Sequence, residues 1–166
     1  MTVVIGYTTP TESWMFTDSA ASSEDGSDIF EALTPKGIKH TGNGAVGAAG
    51  SWRIINLISA FKNKRCTPQM IVTMLKELKG EEEAVKSTEV MCVWPNRPIT
   101  IVQSDLAVIE FNSPFMAIGE GAPYALGFLE ACAEIGPDEL HMAVEVATKY
   151  VPSVRGPVKS IHCVEK

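Results

Sequence analysis

The hydrophobic period of this chain switches repeatedly between two residues and three to four, and that alternation limits its fold more than any other feature. A period of two puts alternate side chains on one face of a strand, and a period near 3.6 makes one stripe on a helix, so each switch marks a change of element. The segments 2–8 and 12–17 are rich in β-branched and aromatic residues and flank Thr9-Pro10-Thr11, which predicts a hairpin. The polar run from Ser22 to Ser27 reads as a loop. Two further short strands fit Lys36 to His40 and Gly44 to Ala49, joined by the turn-prone stretch 41–44. That makes four strands ahead of any helix.

From Ser51 the pattern turns helical, with Ile54, Ile55, Leu57, Ile58 and Phe61 on one broad stripe. Thr67-Pro68 starts a second helix, an N-cap followed by proline in the first turn, and Gly80 ends it. Glu81-Glu82-Glu83 reads as a solvated linker. Strand chemistry then resumes over 89–94, 99–103 and 106–111, taken as a second sheet. After Met116-Ala117-Ile118, residues from Gly119 to about Ile135 form a third helix. Gly136-Pro137 opens a fourth with Leu140, Ala143, Val144 and Ala147 on one face, and Pro157 to Val164 is a closing strand. Strands, two helices, strands, two helices, strand is the order of an α+β fold in which two antiparallel sheets stack face to face between helix pairs, an αββα sandwich. With 166 residues the chain makes one such domain over 1–166.

The charge balance narrows the partners. A formal charge of -6 opposes binding to a phosphate backbone, and the short basic run Lys62-Asn63-Lys64-Arg65 sits where a helix should end, where cations suit the dipole. No apolar run is long enough to span a bilayer, and the start of the chain lacks the features of a secretory signal, which gives the expectation of a cytoplasmic protein with no nucleic-acid or membrane partner. Cys66, Cys92, Cys132 and Cys163 form no paired motif and read as small buried apolar residues. His40, His141 and His162 lack ligand-like spacing. Neighbouring His162 and Cys163 face opposite sides of a strand, which makes them a poor nucleophile pair. The stretch 42–47 matches a bare GxGxxG, but no buried parallel strand precedes it and no acid follows at the required distance. No cofactor and no metal are expected.

The chemistry lies at the start of the chain. Removal of Met1 would expose Thr2, whose hydroxyl is a nucleophile and whose own α-amine, with an ordinary pKa of about 8, can take up the proton at neutral pH. Such a site needs a cation to tune the pair, a carboxylate to orient that cation and a backbone N–H for the oxyanion. Lys36, Asp18 and the Gly50 region are the candidates.

Thr2-Val-Val-Ile, Phe16-Thr-Asp18-Ser, Lys36, and Gly47-Ala-Ala-Gly50-Ser51 before a helix resemble, in order and spacing, the successive motifs of proteasome β-type peptidases. The stretch from Ile118 to Ala125 is similar to the glycine-rich helix entry of the bacterial HslV-type, proteasome-like peptidase of the same N-terminal-nucleophile family. This resemblance spans nearly the whole chain and favours Lys36 over Lys39. It implies a threonine peptidase with Thr2 as nucleophile and amine base, Lys36 as tuning cation, Asp18 as its orienter and the Gly50 N–H as oxyanion donor. It also implies a homo-oligomeric ring acting on peptide or unfolded protein, fed by an unfoldase ATPase. The chain departs from the family pattern where Glu120 replaces a serine, where Val151 and Val154 replace an aspartate and a serine, and where Arg155-Gly156 replaces paired glycines. Those changes thin the polar shell and put a bulky cation near the site or the ring interface. They leave open an inactive structural or assembly protein of the same fold, and an amidase acting on a small non-peptide substrate.

Overall fold

The computed structural model describes residues 2–22, 29–32, 35–40, 43–62 and 64–165. Most of the polar loop and half of the turn expected over 41–44 therefore lie outside the described residues, as do Met1 and Asn63. The element order is β1 (Val4–Thr8), β2 (Glu12–Thr17), β3 (Ala20–Ser22), β4 (Ile29–Glu31), β5 (Gly37–His40), β6 (Gly44–Ala49), α1 (Trp52–Ser59), α2 (Pro68–Glu77) and α3 (Glu82–Lys86). It continues with β7 (Glu89–Val93), β8 (Ile99–Val102), β9 (Val108–Phe111), β10 (Phe115–Ile118), α4 (Ala122–Glu130), α5 (Pro137–Tyr150) and β11 (Lys159–Val164).

Two main antiparallel sheets form, one in the order β10-β1-β2-β11 and the other in the order β5-β6-β7-β8-β9. The αββα arrangement is the expected one, and the hairpin of β1 and β2 forms with Val4 opposite Thr17 and Thr8 opposite Ser13. Strand membership differs from the sequence reading. β7 to β9 do not begin a second sheet but extend the one that β5 and β6 start, whereas β1 and β2 sit between the late strands β10 and β11. Pairing across such sequence distances is set by which apolar faces meet, and local pattern carries no record of it.

Three smaller corrections follow the same logic. The acidic run is not a linker: Glu82 and Glu83 occupy the first turn of α3, where carboxylates favour the helix dipole, and Val85 is buried in the core. Helix α4 ends at Glu130, short of Ile135, because the Ala131 and Cys132 N–H groups bond three residues back and tighten the chain into a turn. β3 and β4 make a small separate ribbon that the sequence reading lacked. Elsewhere the local signals hold, and Thr67 caps α2 through its side chain, which accepts from the Met70 N–H at 3.3 Å.

The core has three layers. Val3, Ile5 and Phe16 meet Leu129, Leu140 and Val144 beneath α4 and α5. Val46, Val90 and Cys92 meet Ile54, Ile58, Ile71 and Leu75 beneath α1 to α3. Between the sheets lie Val4, Met15, Met91, Val93, Ile99 and Ile118. Gly47 lets the sheets approach here, since a Cβ on it would stand 2.7 Å from Met15 Sδ and 3.0 Å from Val4 Cγ1. Gly47→Val should cost about 1–3 kcal/mol by overpacking, read as a lower urea midpoint at unchanged slope.

Candidate active site

Asp18 and Lys36 flank the ends of strands from opposite sheets, Asp18 just after β2 and Lys36 just before β5. Both are buried, and the Lys36 ammonium donates to both carboxylate oxygens, at 2.9 and 2.8 Å. The same carboxylate accepts the Val3 N–H at 3.0 Å and the Ala20 N–H at 3.1 Å. Such saturation makes a buried charge tolerable, because each lost water contact is replaced by a donor. The Lys36 ammonium also stands 5.6 Å from the Trp52 ring centroid, over a face that favours cations. Burial pushes the Lys36 amine below its ordinary pKa of 10.5, and the Asp18 carboxylate opposes that shift.

Thr2 is held between these groups and the Gly119 turn. The next residue, Val3, exchanges bonds with Asp18, its carbonyl accepting the Asp18 N–H at 3.3 Å. The Thr2 carbonyl accepts the Gly121 N–H at 3.2 Å. Gly119 has φ +91°, and a Cβ there would overlap the Thr2 carbonyl, so glycine is required on both counts. The Thr2 side chain is buried yet lines a cavity of about 200 Å³ with Gly50, Ser87, Glu89, Gly119 and Glu120.

Gly50 has φ +131°, and a Cβ on it would meet the Ser87 carbonyl and the Thr88 backbone. The following N–H, that of Ser51, is already committed to Thr88 Oγ1 at 3.0 Å, while the Thr88 hydroxyl donates to the Ala84 carbonyl at 2.8 Å. Of the two N–H groups at this turn, that of Ser51 is thus taken up within the fold. The structure brings Thr2 and Gly50 to one cavity and joins Asp18 to Lys36 and to the backbone beside Thr2.

The departures from the peptidase pattern also have definite places. Val151 and Val154 are buried in the core under α4 and α5. Arg155 does not enter the cavity. Its exposed side chain folds back to the Pro152 carbonyl at 2.8 Å, and its own carbonyl accepts the Ser19 N–H at 3.2 Å. Sequence reasoning missed Thr88, Glu89 and Ser153. Ser153 is buried and donates to Glu120 Oε2 at 2.8 Å, a contact between residues 33 apart that no local motif announces. Among the described residues no three His, Cys, Asp or Glu side chains converge as metal ligands, and no helix is long and apolar enough to cross a membrane.

No family model matches the sequence, and no curated protein matches it. Solved structures do. BPH of Thiobacillus denitrificans in complex with epoxomicin superposes with a TM-score of 0.76 at 20% identity, covering 98% of each chain. BPH alone gives 0.75 at 19% identity, covering 98% of this chain and 97% of that one. This is the proteasome and HslV fold. Eukaryotic HslV from Trypanosoma brucei agrees, with a TM-score of 0.71 at 13% identity over 98% of this chain and 99% of that one. An HslV-type sandwich therefore forms here on a largely different sequence.

If the buried pair is what holds the two sheet ends together at the site, Asp18→Ala should cost about 3–5 kcal/mol by stranding the Lys36 cation. The double variant with Lys36→Met should recover part of that loss in the same denaturation experiment.

Proposed function

We propose that the chain is a threonine-nucleophile amide hydrolase, a peptidase that acts on peptide or unfolded protein from within a homo-oligomeric ring in the cytoplasm. The observation that carries this reading is the buried Asp18–Lys36 pair bonded to the backbone next to Thr2, which itself lines an accessible cavity with Gly50. A desolvated lysine is costly, and its coupling through Asp18 to the backbone next to Thr2 has a use in catalysis that packing alone does not require.

In the proposed reaction Met1 is first removed. Thr2 Oγ attacks the amide carbonyl carbon, and its proton passes to the α-amine. The Gly50 N–H stabilises the oxyanion. As the C–N bond breaks, the α-amine returns that proton to the leaving amine. Water then hydrolyses the Thr2 ester, which releases the acid and restores the hydroxyl. Lys36 holds the hydroxyl in its reactive state and Asp18 holds Lys36.

Thr2→Ala should abolish hydrolysis of a peptide amide without changing the thermal midpoint, and activity equal to wild type would overturn the assignment. Epoxomicin, the ligand of the BPH complex, should bind the wild type and fail to bind Thr2→Ala. Because the protonated Lys36 is the working form and burial lowers its pKa, kcat/KM should fall with rising pH at a point below 10.5. An alkaline limb at or above that value would separate Lys36 from the reaction. The ring is tested by light scattering, and an unfoldase ATPase by whether one stimulates degradation of unfolded protein.

A second reading, an inactive assembly protein of this fold, is favoured by the burial of Val151 and Val154 where the peptidase pattern has polar side chains. Intact-mass measurement separates the two: a chain that keeps Met1 throughout supports the inactive form, and a free Thr2 supports the hydrolase.

A further inference from the structure

The cavity beside Thr2 carries charge that the hydrolytic chemistry does not use. Glu89 is the first residue of β7, and two-residue alternation puts it on the face of Met91 and Val93, the face turned toward the other sheet. Its Cα partner across the ladder is Ala49, next to Gly50, so its carboxylate stands at the mouth between the sheets. Glu120 reaches the same cavity from the turn that follows β10, and the Ser153 hydroxyl fixes one of its oxygens at 2.8 Å. Among the described residues no lysine, arginine or histidine lines this cavity. The site's own cation, Lys36, has its charge offset by Asp18.

Two carboxylates converging on a small cavity beside a candidate nucleophile create a negative potential that low-dielectric walls focus. A volume of about 200 Å³ corresponds to roughly seven waters at about 30 Å³ each, room for one long side chain. We infer that Glu89 and Glu120 determine specificity, selecting amides whose acyl residue carries a positive charge. This inference rests on the hydrolase reading and deepens it by naming the substrate class. The cation can be a lysine or arginine side chain or a free α-amine, and the two sources share the same recognition chemistry.

The test compares four amides sharing one chromogenic leaving group: Nα-acetyl-lysine, Nα-acetyl-norleucine, Nα-acetyl-glutamate and unblocked leucine. The lysine amide should give the highest kcat/KM and the glutamate amide the lowest. Glu89→Gln and Glu120→Gln should each lower the lysine-to-norleucine ratio by about threefold to fivefold, and added salt should lower it in the wild type. Preference for unblocked leucine over the acetylated lysine would assign the cation to the α-amine. A lysine-to-norleucine ratio near one without any preference for unblocked leucine, or a preference that both variants leave unchanged, overturns the inference while Thr2-dependent turnover keeps the hydrolase reading. If nothing is turned over, titration of the wild type with Nα-acetyl-lysine amide and its norleucine analogue, followed by NMR, decides separately. Tighter binding of the lysine compound that both variants weaken retains the cation site without the hydrolase, and equal binding overturns it.

Discussion

The buried ion pair of Asp18 and Lys36 is the interaction on which the candidate site depends. It joins the end of β2 to the start of β5, and so ties the two sheets together at the edge where the cavity opens. Two backbone N–H groups complete the carboxylate's shell, one of them from Val3, which fixes the chain just after Thr2. A buried pair of this kind contributes little to stability against an apolar alternative. Its effect is positional: it sets where the first strand begins and therefore where Thr2 stands.

Glycines supply the complementary constraint. Gly50 and Gly119 take positive φ in the lining of the cavity they share with Thr2, and each lies so close to neighbouring backbone that a Cβ would not fit. The walls of the cavity are thereby formed by main chain as well as by side chains. The polar part of the lining is different: Glu89 comes from a strand start and Glu120 from a turn, with the Ser153 hydroxyl donating to Glu120 from outside the cavity.

Much of the local structure was legible. The hairpin of β1 and β2, the cap at Thr67, the proline starts of α2 and α5 and the stripe of α1 all follow from residues within a few positions of one another. The four candidate residues were chosen from their order along the chain, and the structure puts Thr2 and Gly50 on one cavity and Asp18 on Lys36. The Glu120–Ser153 bond, the clamp of Thr88 on Ser51 and the placement of Glu89 were not, since each depends on segments brought together by the sheets. Short α3 was missed because three glutamates read as solvent-facing when the burial of Val85 is unknown.

By itself the sequence determined the types of element, their order and the supply of reactive groups, because strand and helix periods, caps and turns act over short range. Only the tertiary structure decided which strands share a sheet, which charges lose their water and which carboxylates line the cavity that Thr2 shares. Those outcomes come from burying apolar faces across long sequence separations, a cooperative choice among packings that no local stretch encodes.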